Sequence, residues 1–324
     1  MTKILGIGNA LVDQLTIIEN DDLLLSLELP KGSMQLVDAE RSAKVIEATK
    51  NYQKSMASGG SAANTICGLG KLGTKTTFIG HVGEDEIGDF FNNDLLKSSV
   101  IPHLFRSKTA SGIANAFVTP DGERTFATYL GAAVELSATH LTVDLFKGYD
   151  ILYLEGYLVF NTPLFLKAIE LGKEAGLKIA LDLSSYNVVD ANKDILDKVI
   201  DSHIDIVFAN EEEAKSLTGL EPYEALLYLA KKCDYAIVKI GSKGSFIAHD
   251  GKITRIDIFP TTAIDTTGAG DMYAAGFLHG LVNNWTIEKS GKTGSLLASR
   301  VISLIGAKID DKQWDEIYKI IEGL

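Results

Sequence analysis

The seven residues Asp265-Thr-Thr-Gly-Ala-Gly-Asp271 combine the residue types that anion chemistry needs in the spacing it needs. They follow a β-like stretch, residues 253–264, and open a helical stretch, residues 272–282, in which Ala274, Ala275 and Gly276 permit close packing. Gly268, Ala269 and Gly270 carry little or no side chain, so successive backbone N–H groups can converge on one cavity. At a helix N-terminus those donors and the helix dipole make an anion site. A carboxylate ending such a loop stands beside the bound anion. It can take a proton from an incoming hydroxyl while the N–H groups stabilise charge on a phosphoryl group in transfer. Asp271 is the candidate general base, and the backbone of Gly268, Ala269 and Gly270 the candidate anion hole. Simple capping of the helix by Asp271 is the competing account. Two glycines, two threonines and a second Asp within seven residues weigh against it.

Two other glycine clusters fail as motifs. Gly6-Ile-Gly8-Asn-Ala-Leu11 begins like a dinucleotide fingerprint, but Leu11 stands where the third glycine belongs. Gly291-Lys-Thr293 resembles the end of a P-loop, yet Thr286 occupies the place of its first glycine and no strand precedes it.

The elements that must position the loop alternate in type. Short apolar runs at residues 3–8, 76–82, 151–155, 178–183, 204–209 and 235–240 read as buried strands. Helix-period stretches lie between them at residues 61–72, 87–97, 163–175, 191–201, 210–217 and 224–231, and two more close the chain. Such alternation is the mark of a mainly parallel sheet covered by helices. Residues 11–36 and 113–130 break the rhythm as alternating β segments, the second with a Thr119-Pro-Asp-Gly122 turn. They are expected to pair as a small discontinuous β lid that excludes water, or as a plain edge hairpin. A further hairpin is expected at His249-Asp-Gly-Lys252. No repeat or linker divides the chain, so residues 1–324 are read as one domain.

The composition narrows the partners. A formal charge of -12 over 324 residues argues against a nucleic-acid or anionic-membrane partner, which needs clustered Lys and Arg. The six histidines show no zinc-hydrolase spacing. Cys67 and Cys233 sit in apolar stretches without a CxxC partner, and no segment reaches membrane-spanning length. A cytoplasmic protein is expected.

The 265–271 segment resembles the C-terminal signature of the ribokinase/PfkB-type carbohydrate kinases, a superfamily that includes adenosine kinase. Ser58-Gly-Gly-Ser-Ala-Ala-Asn64 with Gly73, followed by Ile79-Gly-His-Val-Gly-Glu-Asp85-Glu-Ile-Gly88, resembles the N-terminal signature, in the family's order. The resemblance implies a three-layer α/β/α ribokinase-like fold, ATP and Mg²⁺ as cofactors, and Asp271 as base. It also makes Asn210 and Glu213 the NxxE element that organises Mg²⁺ and phosphates through water. An Asn N-cap on a charged first turn is the alternative account of those residues. Gly241 and Gly244 would let the backbone approach the nucleotide, with Lys239 and Lys243 simply exposed. Asp265 and Thr267 would belong to a loop that in some members binds a monovalent cation (K⁺).

For the acceptor, the matching positions are Asn9, Asp13, Gly59, Gly60 and Asn64, where amide and carboxylate groups suit vicinal hydroxyls. Asp13 could instead be a turn residue. Arg124 would close over the transferring phosphate or stay solvated. The segments 8–13, 31–34 and 124–131 look adenosine-kinase-like, so Met34 and Phe126 would pack on a purine or form lid core. The implied reaction is phosphorylation of adenosine to AMP. A fructose, ribose or related furanose kinase is the alternative, and a non-catalytic nucleoside or sugar sensor a more distant one. An apolar lid face would allow either a monomer or a homodimer.

Overall fold

The computed structural model describes residues 2–324. Its strands, in chain order, begin with β1 (Lys3–Ile7), β2 (Leu11–Ile17), β3 (Met34–Leu36), β4 (Lys54–Gly59) and β5 (Lys75–Gly83). There follow β6 (Val100–Ser107), β7 (Gly112–Val118), β8 (Arg124–Tyr129), β9 (Ile151–Glu155) and β10 (Lys178–Asp182). The last are β11 (Ile206–Asn210), β12 (Tyr235–Lys239), β13 (Ser245–His249) and β14 (Lys252–Ile256).

Nine strands form one sheet in the order β14-β13-β12-β11-β10-β9-β1-β5-β6. It is parallel from β12 through β6, with β13 and β14 added antiparallel at one edge. Apolar residues on neighbouring positions of one strand go to opposite cores. Ile4 and Tyr153 pack on one face, Leu5, Leu152 and Leu154 on the other. That double burial is why these strands read as unbroken apolar runs. One face is covered by the helices Ser61–Lys71, Glu86–Lys97, Ala269–Val282, Ile287–Val301 and Trp314–Gly323. The other is covered by Thr162–Glu174, Tyr186–His203, Glu211–Thr218 and Pro222–Leu229. This is the expected three-layer α/β/α, ribokinase-like architecture.

The second sheet has the order β3-β8-β7-β2-β4. Residues 113–118 and 124–129 form the antiparallel pair expected, and β2 joins β7 in parallel register, Asp13 opposite Ala114. The sheet also recruits β4, which was not read as a strand, and the stretch 11–36 is interrupted by a short helix, Asp22–Ser26. Its back face packs Phe117 and Ala127 against Leu24 of that helix and Val45 of the helix Ala39–Ala48. Its front face leaves Ile17, Met34 and Leu36 more than half exposed.

Other expectations moved. The β-like stretch 253–264 is a strand only to Ile256, and the chain is then irregular through Pro260, which has no N–H for a ladder. The helix expected from Met272 starts at Ala269, so Asp271 lies inside its first turn. Asp13 is mid-strand in β2, not in a turn. Cys67 is buried and Cys233 partly exposed, and neither is paired.

The chain leaves β1 in two directions, to β5 and β6 on one side and to β9 through β12 on the other. The crevice at the carboxyl ends of strands around such a reversal is where open α/β sheets bind ligands.

Candidate active site

Four adjacent strands end in a polar residue at that crevice: Glu155 on β9, Asp182 on β10, Asn210 on β11 and Lys239 on β12. A cavity of about 810 Å³ opens above them, within the range of small-molecule sites. It runs from Asp13 and Asn64 past Asp271 and Gly270 to an apolar end at Phe259, Ala298 and Ile302.

Gly268 is the N-cap of the helix Ala269–Val282, with φ at 76°, and a Cβ there would come within 2.8 Å of Ala307. Both the left-handed backbone and the close approach require glycine. Asp271 does not cap the helix. One of its oxygens accepts from Ser61 Oγ (2.7 Å) and the other from Asn64 Nδ2 (2.9 Å), both on the helix Ser61–Lys71. Thr65 Oγ1, from the same helix, donates to the Asp271 carbonyl at 3.2 Å. Burial pushes the Asp271 carboxyl up to about 7, with the two side-chain hydrogen bonds opposing and Asp182 reinforcing the rise. A carboxylate so poised beside a helix N-terminus can accept a proton near neutral pH.

Asn210 and Glu213 make a reciprocal capping box. Asn210 Oδ1 accepts from Glu213 N at 2.8 Å, while Glu213 accepts from Asn210 N (2.8 Å) and Nδ2 (2.7 Å). The helix-cap account of these residues is therefore geometrically true, and both still line the cavity. Burial raises the Glu213 carboxyl to about 7, opposed by Lys239. Mg²⁺ takes oxygen ligands and keeps several waters. No group of three or more His, Cys, Asp or Glu among the described residues cages a metal by itself. The oxygens of Glu213, Asp182 and Asn210 thus fit a cation held jointly with phosphates and water.

At the polar end of the cavity, Asp13 lies against Gly59, and no protein donor among the described residues hydrogen-bonds its carboxylate. Burial raises it to about 6. Lys308, which holds Asp94 and Ser58, and Arg124 oppose that rise. Asn64 Oδ1 is buried without a partner, an open acceptor for a ligand hydroxyl. Gly60 and Asn64 line the cavity, whereas Asn9, Gly59, Met34, Phe126, Arg124 and Asp265 are not part of its lining. Asn9 gives both its backbone N–H (2.9 Å) and its Nδ2 (2.7 Å) to buried Glu155.

Arg124 is not solvated. One nitrogen bonds Thr267 Oγ1 at 3.1 Å, and the other pairs with Asp265 Oδ2 at 2.7 Å without hydrogen-bond alignment. Asp265 also accepts from Thr267 N, Thr267 Oγ1 and Gly306 N. Gly241 and Gly244 both line the cavity, but Gly244 has a nearer task. A Cβ there would collide with the Ile256 carbonyl. Lys239, expected to be exposed, keeps only 14 % of its side chain open and pairs with Asp182 at 3.2 Å. Glu155, Asp182, Lys239 and Ser61 escaped the sequence reading. The signal that marks the first three is a polar residue ending an apolar strand at the ligand edge.

The model of the "pfkB family carbohydrate kinase" matches residues 33–314. The chain belongs to the pfkB family of carbohydrate kinases. A probable sugar kinase from Rhizobium etli CFN 42 is 32% identical, covers 99% of both chains and superposes with a TM-score of 0.87. The adenosine kinase of Sinorhizobium meliloti is also 32% identical, covers 98% of this chain and 99% of its own, and has a TM-score of 0.86. A 5-dehydro-2-deoxygluconokinase of Clostridium perfringens is 26% identical, over 80% of this chain and 82% of that protein. This pfkB-family member is thus a phosphotransferase with an alcohol group as acceptor, in a family that uses ATP and Mg²⁺. No helix among its described residues is long and apolar enough to cross a membrane.

Proposed function

We propose that the enzyme transfers the γ-phosphoryl group of ATP to the primary hydroxyl of a nucleoside, adenosine to AMP, with Asp271 as the base. The observation that carries this is the Asp271 carboxylate, near-neutral in pKa, at a glycine-built helix N-terminus and joined by Ser61 and Asn64 to the acceptor side. The hydroxyl of the acceptor gives its proton to Asp271. Its oxygen bonds the γ-phosphorus as the bond to the β-phosphate oxygen breaks, and ADP leaves with that electron pair. The N–H groups of residues 268–270 hold the charge that spreads over the equatorial oxygens. Mg²⁺, held with Glu213 through water, would neutralise the donor's phosphates. A monovalent cation by residues 265–267 would have to use carbonyl oxygens, because the Asp265 carboxylate is already engaged by Arg124, Thr267 and Gly306.

Asp13 and Asn64 Oδ1 offer two acceptors for vicinal hydroxyls. Met34 and Phe126 stand opposite each other on the sheet face that also carries Asp13 and Arg124. The β3-β8-β7-β2-β4 sheet is proposed as a lid that brings this face onto a purine and excludes water. A sugar acceptor is the second reading, favoured by the polar pair Asp13 and Asn64, which would bind a furanose equally well. ADP release with ATP and Mg²⁺ is measured across adenosine, other nucleosides, ribose, fructose and ketodeoxy sugars. Turnover with a sugar and none with adenosine would sink the nucleoside assignment. Tight ligand binding without ADP release from any acceptor would indicate a sensor. The active form is proposed as a monomer whose lid face meets substrate. A homodimer through Ile17, Met34 and Leu36 is the alternative, and light scattering decides between them. Two unpaired thiols fit a reducing, cytoplasmic setting.

A further inference from the structure

The cavity is electrostatically one-sided. Its lining holds the carboxylates Asp13, Asp182, Glu213 and Asp271, against a single cationic side chain, Lys239. The whole chain carries -12. Arg124 and Lys308, the cations nearest Asp13, are outside the lining and committed, the first to Asp265 and Thr267 and the second to Asp94 and Ser58. A polyphosphate entering this cavity meets one cationic side chain in its lining, Lys239.

The place of that group is informative. A Cβ built on Gly270 would come within 2.9 Å of Lys239 Nζ, so the ammonium lies against the first turn of the helix Ala269–Val282. A cation at a helix N-terminus faces the positive end of the dipole, which is unfavourable unless an anion lies between them. In the structure Asp182 supplies part of that anion, 3.2 Å from Nζ, with Glu213 and Asp271 nearby. An ammonium has three donors, and one is used on Asp182. A phosphate seated on the residue 268–270 amides would fill the space between the dipole and the ammonium and accept from both.

We propose that Lys239 is a direct ligand of the donor's γ-phosphate: its ammonium leaves Asp182 for the phosphoryl oxygens and supplies the positive charge that the cavity's other side chains lack. Asp182 is then its counter-ion in the absence of phosphate and the phosphate's competitor for it. The idea rests on the kinase assignment but makes a claim about binding that stands apart from turnover.

Binding of β,γ-imido-ATP to the full chain is measured by calorimetry, in EDTA and in Mg²⁺, alongside ADP release. Lys239→Met should weaken the analogue about 10- to 100-fold and lower kcat about 10²-fold, with the acceptor KM unchanged. Lys239→Arg should recover most of both. Asp182→Asn should tighten the analogue in EDTA, because the ammonium is no longer held back. A purely structural pair predicts the reverse: a lowered Tm for each variant and no selective change in phosphate affinity. A folded Lys239→Met that binds the analogue like wild type overturns the proposal. If that variant does not fold, unchanged or weaker binding by Asp182→Asn in EDTA overturns it. Wild-type turnover with a fully active Lys239→Met leaves the kinase and removes the lysine. Lysine-dependent binding without ADP release from any acceptor does the opposite.

Discussion

The floor of the cleft and the five-stranded sheet above it are built by different means. The floor is local: residues 265–271 and 210–213 each place several functional groups within one loop and one helical turn. The upper sheet is non-local. Asp13, Met34, Phe126 and Arg124 share a face only because β2, β7, β8 and β3, spread over about a hundred residues, pair in one register. Local construction suits chemistry that must be held to fractions of an ångström. Register-dependent construction leaves the acceptor face free to change by single substitutions while the phosphoryl machinery stays intact.

The comparison predicts that floor variants change kcat and upper-sheet variants change the acceptor KM. Asp271→Asn should lower kcat by about 10²–10⁴ in an ADP-release assay, with circular dichroism unchanged. A loss confined to KM would break the distinction at its strongest point. Asp13→Asn should raise the acceptor KM about 10- to 100-fold, the scale of a hydrogen bond to a charged group, and leave the ATP KM alone. Because Asp13 is raised to about 6, the wild-type acceptor KM should fall as pH rises from 5 to 7, and this dependence should vanish in Asp13→Asn. In Asp13→Asn, kcat/KM should climb about tenfold per pH unit below pH 7, since Asp271 works only ionised and titrates near 7. In wild type the climb should steepen below pH 6, where Asp13 also takes up a proton. Phe126→Ala or Met34→Ala should cost severalfold in acceptor KM, an effect that a sugar acceptor would not feel.

The smallest expected effect is on stability. A carboxyl raised to about 7 holds its proton in the folded chain at pH values where the unfolded chain has released it. Its contribution to stability therefore declines as pH rises from the ordinary carboxylate range to 7. Asp271→Asn should melt slightly above wild type at pH 8, and the difference should disappear in acid. A lower Tm at pH 8 would show that the Ser61 and Asn64 bonds outweigh the buried charge.

This division also explains how much was legible in the residues. The glycine loop, the NxxE element and the alternation of strands and helices are contiguous patterns: the alternation forms the parallel sheet, and the first two line the cavity at its edge. The missed groups depend on tertiary placement. Glu155, Asp182 and Lys239 are single polar residues after apolar runs, and nothing local says that four strand ends meet in one row. The strand β4 was missed because Lys-Ser-Met-Ala-Ser-Gly has almost no β-branched or aromatic residues, and only its pairing with β2 makes it a strand. The segment after Ile256 has strand-like composition, but it pairs with no strand among the described residues, and Pro260 has no N–H for a ladder.

The two hydrogen bonds that hold Asp271 also bear on wasted fuel. Ser61 and Asn64 each hold one oxygen of the carboxyl and so fix its orientation, leaving one lone pair open on each oxygen. Under the proposed chemistry, a hydroxyl docked on Asp13 and Asn64 Oδ1 meets those lone pairs in a fixed orientation, whereas a loose water is positioned by neither group. Under that proposal the helix Ser61–Lys71 orients both the base and the acceptor, and ATP bound without an acceptor should be hydrolysed slowly.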